Sequence, residues 1–195
     1  MAPEDLGLHA NYYAYHLARH NPYIPQAPAP SHYPESAAVP TQSLSRLYAR
    51  PGFLLRRAHQ ISAAVFEDEC RGVGLTPAQF GVLTVLRANP GLDQSSLARA
   101  LGFDKVTVLR VLRGLETRGL VKRAPSPSSR RNLSISLAPA GVTLLEQAQK
   151  PAEKAYNRLM GPLDEAQQAQ LLDLLQRLTS GLEDSARAAF IPPDA

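Results

Sequence analysis

Between residues 104 and 131 the chain carries Lys105, Arg110, Arg113, Arg118, Lys122, Arg123, Arg130 and Arg131 against only Asp104 and Glu116. Cations gathered in this way neutralise a line of phosphates, which gives sequence-independent affinity for nucleic acid that falls steeply with salt. Asp104 stands where a helix N-cap is expected, so the charge offered to solvent is nearly all positive. Reading of base edges in a major groove falls to Thr107 and Arg110, with Arg113 beside them. Arg130, at the tip of an expected hairpin, suits a narrow minor groove, where the potential is most negative. Ser95, Lys105, Arg123 and Arg131 complete the set of candidate DNA contacts.

Other chemistries find little support. No Ser/His/Asp set, glycine-rich phosphate loop or carboxylate pair recurs at useful spacing, so no catalytic residues are expected. The five histidines offer no metal pair in the folded part; His16 and His20 are four apart but lie among prolines and tyrosines. No metal and no bound cofactor are expected. Cys70 is the single cysteine, which excludes an internal disulfide. It leaves open a redox-sensing role, although Glu67, Asp68 and Glu69 oppose thiolate formation beside it.

The elements that must position the basic residues are written in helix-cap chemistry. Thr76-Pro77-Ala78-Gln79 is a capping box with proline in the first turn, and Asp93-Gln94-Ser95-Ser96 and Asp104-Lys105-Val106-Thr107 start two more helices. The pair 93–101 and 104–118, joined through Leu101-Gly102, has the form of a helix-turn-helix. In its second helix Val108, Val111, Leu112 and Leu115 recur at i, i+3, i+4 and i+7, a buried stripe opposite the basic face. Gly119-Leu120-Val121 closes that helix and begins a strand. Ser126-Pro127-Ser128-Ser129 turns it, and Leu133, Ile135 and Leu137 alternate on the return. A basic hairpin directly after a helix-turn-helix is a wing.

A long helix is predicted over 51–71, ended by Gly72 and Gly74, and two more helices follow, one after Pro139-Ala140-Gly141 and one capped by Asp164-Glu165-Ala166-Gln167. Leu171, Leu172, Leu174, Leu175 and Leu178 are read as the inner side of the last one. They exceed what a single small core needs and suit subunit contact. The fold class is mainly α with a small β-hairpin, a winged helix-turn-helix with flanking dimerisation helices. The expected layout is a Pro/Tyr-rich arm at 1–43, a dimerisation region at 44–72 and 140–185, and a DNA-binding domain at 73–139. A 44% apolar fraction with 6% aromatics and no Trp implies a core of leucine, valine and alanine. No apolar run approaches the ~20 residues of a membrane span and no signal-peptide core opens the chain, so a cytoplasmic protein is expected.

This order of elements resembles the MarR family of transcriptional regulators over roughly residues 45–182. The resemblance is carried by Leu75-Thr76-Pro77-Ala78-Gln79-Phe80, Leu97-Ala98, Asp104-Lys105-Val106-Thr107, Leu115-Glu116-Thr117-Arg118-Gly119-Leu120-Val121, Arg130-Arg131 and Leu137-Ala138-Pro139-Ala140-Gly141. It implies a homodimer that binds double-stranded DNA at a near-palindromic operator and is controlled by a small aromatic carboxylate. Two departures are visible. Ser129 stands where the family's wing has an acidic residue, and Leu109 and Arg113 replace the commoner Thr and Asp of the recognition helix. Within the family, Pro51-Gly52-Phe53-Leu54-Leu55-Arg56-Arg57-Ala58-His59 is similar to the subgroup that controls nicotinate breakdown, which implies 6-hydroxynicotinate as effector. Arg56, Arg57 and His59 are the candidate ligand contacts. A helical protein-interaction module without DNA binding is the remaining alternative, and weak salt dependence toward DNA would mark it.

Overall fold

The computed structural model describes residues 39–126 and 129–193, with side chains described over 44–125 and 133–193. Most of the N-terminal arm, with His16 and His20, and the side chains of Arg130 and Arg131 lie outside the described residues. Among the described residues there are seven α-helices and one two-stranded antiparallel sheet. In chain order these are α1 (Val39–Tyr48), α2 (Pro51–Glu69), α3 (Pro77–Ala88), α4 (Gln94–Leu101) and α5 (Lys105–Thr117). Strands β1 (Val121–Ser126) and β2 (Ser129–Leu137) follow, then α6 (Pro139–Met160), α7 (Glu165–Gly181) and a 3₁₀ turn at Glu183–Ser185. The chain divides within α2 into two compact units, the first ending at Gln60 and the second starting at Ile61.

Helix α1 begins at Val39, inside the stretch that composition assigns to the arm. Pro40 does not prevent this, because a first-turn residue has no intrahelical use for its N–H. Leu44, Leu47, Tyr48, Leu54 and Leu55 are exposed in this unit, and the Tyr48 and Phe53 rings pack with centroids 5.1 Å apart.

In the second unit the predicted caps form. The Thr76 hydroxyl accepts from the Gln79 N–H while the Gln79 side chain accepts from the Thr76 N–H, and Asp164 and Gln167 repeat the arrangement. Leu83, Leu86, Leu97, Leu112, Leu115 and Ile135 are the largest fully buried side chains, and they come from α3, α4, α5 and β2. Each contributes roughly 1.5–3 kcal/mol relative to exposure, so this cluster fixes how the helices lie on one another. The hairpin pairs Val121 with Leu137, Lys122 with Ser136 and Arg123 with Ile135. One further pairing is not local: Leu92, in the α3–α4 loop, bridges to Ile135, with Ile135 N–H donating to the Leu92 carbonyl at 2.8 Å. The root of the hairpin is therefore stitched to the loop that leads into α4.

At the other side of the root, Ala138 N–H donates to the Leu120 carbonyl at 2.9 Å. Gly141 lies against the same carbonyl so closely that a Cβ would overlap its oxygen. Backbone cannot swing aside as a side chain can, so Gly141→Ala must lift the start of α6 off the hairpin. The expected result is a melting temperature lower by about 5 °C, from an overpacking cost of about 1–3 kcal/mol; an unchanged melt would show that α6 is not seated here.

The leucines of α7, read as the inner side of their helix and as surplus to a single small core, lie mostly at the surface of one chain. Leu171, Leu172, Leu174 and Leu178 are exposed, Leu175 is half-buried, and no residue of α7 or of α2 is buried within one chain. Among the described residues nothing covers their apolar face. The end of α2 is held by charge instead: Arg158 on α6 donates to Asp68 at 2.6 Å and to Glu69 at 2.9 Å.

Candidate nucleic-acid interface

The two short helices α4 and α5 are each started by an aspartate. Asp93 accepts from the Ser96 N–H at 2.8 Å; Asp104 accepts from the N–H groups of Val106 and Thr107 at 2.9 and 2.8 Å. The Ser96 N–H, foremost, holds the Asp93 carboxyl below the usual carboxylate range, and the Thr107 N–H does the same for Asp104. Both caps are thus charged at neutral pH and complement the positive end of their helix. Between the helices Gly102 takes φ 61°, and its N–H turns back to the carbonyls of Ala98 and Arg99. Only glycine enters that left-handed region without strain, so the angle between α4 and α5 is set by this residue.

Helix α5 then presents two unlike faces. Val108, Leu112 and Leu115 are fully buried and Val111 is partly so, as the periodicity predicts. Lys105, Arg110 and Arg113 are exposed, and Lys122 is exposed on β1. None of these four has a side-chain hydrogen bond or ion pair among the described residues. Ser95 is exposed in the first turn of α4. Free cations on the outer face of a helix whose inner face is locked into a core can meet phosphates without first breaking anything.

Three residues are placed differently from what their type suggests. Thr107 is half-buried and its hydroxyl donates to Asp104 Oδ2 at 2.8 Å, so it completes the cap before it can offer anything to a base. Arg123 turns inward. Its Nε donates to Glu116 Oε1 and its Nη1 to Gln94 Oε1 at 3.4 Å, and its side chain is only 22% exposed. It therefore braces β1, the last turn of α5 and the first residue of α4 against one another. Arg118 is likewise engaged, donating to the Gly74 carbonyl at 2.8 Å. Val106, which type and charge alone pass over, is the reverse case: an apolar side chain 75% exposed on the basic face.

The candidate ligand contacts Arg56, Arg57 and His59 are all exposed on the first part of α2. Arg56 stands over the Phe53 ring, 5.0 Å from its centroid, and donates to Gln60 at 3.2 Å. It lines an open recess of about 650 Å³ with Leu47, Arg50, Pro51, Gly52 and Phe53; Arg57 and His59 do not line it. Two guanidiniums beside aromatic and aliphatic surface are suited to an aromatic carboxylate. Cys70 is fully buried, and burial first, then the Glu69 carboxylate, pushes its thiol up. A sensor thiol needs exposure and nearby positive charge; Cys70 is buried, and the guanidinium of the adjacent Arg71 is engaged by Asp68 at 2.7 Å. Among the described residues no helix is long and apolar enough to cross a membrane.

Residues 73–132 match the sequence profile of the MarR family. The transcriptional repressor NicR of Pseudomonas putida is 30% identical over 69% of this chain and 85% of its own length. Two solved structures are similar: the transcriptional repressor CouR bound to a 23-mer DNA duplex (36% identity, 68% of this chain and 94% of that one, TM-score 0.64). The other is BpsR of Bordetella bronchiseptica, whose DNA binding is regulated by 6-hydroxynicotinic acid (28% identity, 77% of this chain and 98% of that one, TM-score 0.64).

Proposed function

Because the chain belongs to the MarR family, a family of transcriptional regulators and not of enzymes, we propose that it is a dimeric DNA-binding repressor released by a small aromatic carboxylate. The observation that carries the DNA-binding half is the set Lys105, Arg110, Arg113 and Lys122, unpaired among the described residues, around a helix whose opposite face is packed into the core. In a two-fold dimer the two α5 helices enter successive major grooves about 34 Å apart, so the operator is near-palindromic. Arg110 and Arg113 read bases, Lys105 and Lys122 contact phosphate, and Arg130 and Arg131 on β2 carry the wing contacts. Ser95 offers a further backbone-phosphate contact at the start of α4. The exposed leucines of α7 supply the subunit contact.

The effector reading rests on the recess beside Arg56 and on the likeness to BpsR and NicR. A carboxylate pairs with Arg56 while the ring lies on Phe53, and 6-hydroxynicotinate is the compound of this class to try first. Such a ligand lowers DNA affinity only as far as it binds the DNA-free state better than the DNA-bound one. Titrating 6-hydroxynicotinate into the protein–DNA complex should release the DNA. Arg56→Ala should leave DNA affinity unchanged and raise the concentration needed for release by about tenfold or more, the loss of one charge-assisted pair. Release that is equally sensitive in the variant would remove Arg56 from the site; a complex indifferent to the compound would discard the nicotinate assignment and leave the repressor standing.

A further inference from the structure

We propose that Val106 is a base-reading residue that selects thymine, by van der Waals contact between its isopropyl group and the thymine C5 methyl in the major groove. This rests on the DNA-binding reading given above. Val106 is 75% exposed, more than any other large apolar side chain among those described. The other exposed apolar residues lie on α1, α2, α6, α7, the C-terminal segment and β2, and Val106 alone lies on α5. It shares a helix face with Arg110 and Arg113, which follow at i+4 and i+7. The rest of that face of α5 is cationic, with Arg110 and Arg113 exposed.

The chemistry singles out one base. An isopropyl group neither donates nor accepts a hydrogen bond. In the major groove adenine, guanine and cytosine present donors and acceptors that such a group would desolvate without replacing. Thymine alone presents a methyl. The contact is also well prepared: the Val106 N–H donates to Asp104 Oδ1 at 2.9 Å, and the next residue is tied to the same carboxylate through both its N–H and its hydroxyl. The first turn of α5 is held, and a β-branched side chain has few rotamers to lose on contact. With Thr107 occupied by the cap, Val106 takes the reading position next to Arg110.

The test removes the methyl from the DNA and the isopropyl from the protein. The intergenic DNA upstream of the gene is amplified with either dTTP or dUTP, and the full chain and Val106→Ala are titrated into both duplexes, with melting curves to verify that the variant is folded. Burying one methyl is worth about fourfold in affinity per half-site, so the wild type should bind thymine DNA on the order of tenfold more tightly than uracil DNA. Val106→Ala should bind both duplexes alike, at the wild type's uracil level. Equal wild-type affinity for the two duplexes would overturn the assignment, as would a variant that keeps the full preference or weakens on both equally. No binding of the wild type to either duplex would overturn the DNA-binding reading itself, and this inference with it.

Discussion

Arg110→Ala will weaken operator binding by about a hundredfold, from about 1–3 kcal/mol lost at each of two half-sites. The side chain is exposed, has no partner to release among the described residues, and stands nearly two turns beyond the cap of α5. Its removal therefore leaves the fold untouched, and the melting temperature should stay where it is. The loss will not be uniform. Against a panel of operator variants the wild type should discriminate strongly at one position in each half-site, and the variant should treat that position almost indifferently. Lys105→Ala is the contrast: a phosphate contact lowers affinity for every sequence alike and reduces the salt slope by about one per subunit. If Arg110→Ala behaves like Lys105→Ala, base reading lies elsewhere on α5.

Removing Glu116 will also weaken DNA binding, although the substitution takes away a negative charge beside the interface. Field effects alone predict the opposite sign, since one more net positive charge attracts phosphate. The expectation follows from the brace: Glu116 holds Arg123, and Arg123 holds Gln94, so the recognition helix, the hairpin and α4 are fixed together at one point. Without Glu116 the Arg123 side chain stays nearly four-fifths covered with no counter-charge, and the hairpin root loosens. Glu116→Ala should cost about tenfold in affinity, between the small worth of exposed pairs and the larger worth of buried ones. Arg123→Ala should cost a similar factor and leave the salt slope unchanged. Tighter binding by Glu116→Ala would mean that Arg123 is a phosphate contact restrained by Glu116, as its charge alone suggests.

The parts of the structure that were legible in the sequence are those decided within a few residues. Thr76, Asp93, Asp104 and Asp164 are read as caps because each serves backbone groups two or three positions ahead, and all four do so. The stripe Val108, Val111, Leu112 and Leu115 is legible for the same reason, since 3.6-residue periodicity needs no partner to be named. The orientation of Arg123 depends on strand parity. Val121 is buried and two residues away, so Arg123 shares its face, while Lys122 points to the other. That signal was present, but a basic residue in a hairpin invites assignment by charge. The pairing of Leu92 with Ile135 joins residues 43 apart through single backbone groups and leaves no pattern. The exposure of α7 was legible only in part: the number of its leucines exceeds what one small core needs, but an amphipathic period does not say which of them a single chain leaves uncovered. Val106 is plain only once α5 has been set on its core, because one valine in a first turn carries no period of its own.

The most direct measurement of the central claim is the affinity of the purified chain for its own upstream intergenic DNA at two salt concentrations, about 50 and 200 mM. A repressor whose cations meet roughly six to eight phosphates across two subunits should bind tightly at the lower salt and lose about a thousandfold or more at the higher one. No binding at the lower salt, or an affinity that barely moves between the two, would contradict the account and return the chain to the class of helical protein-interaction modules.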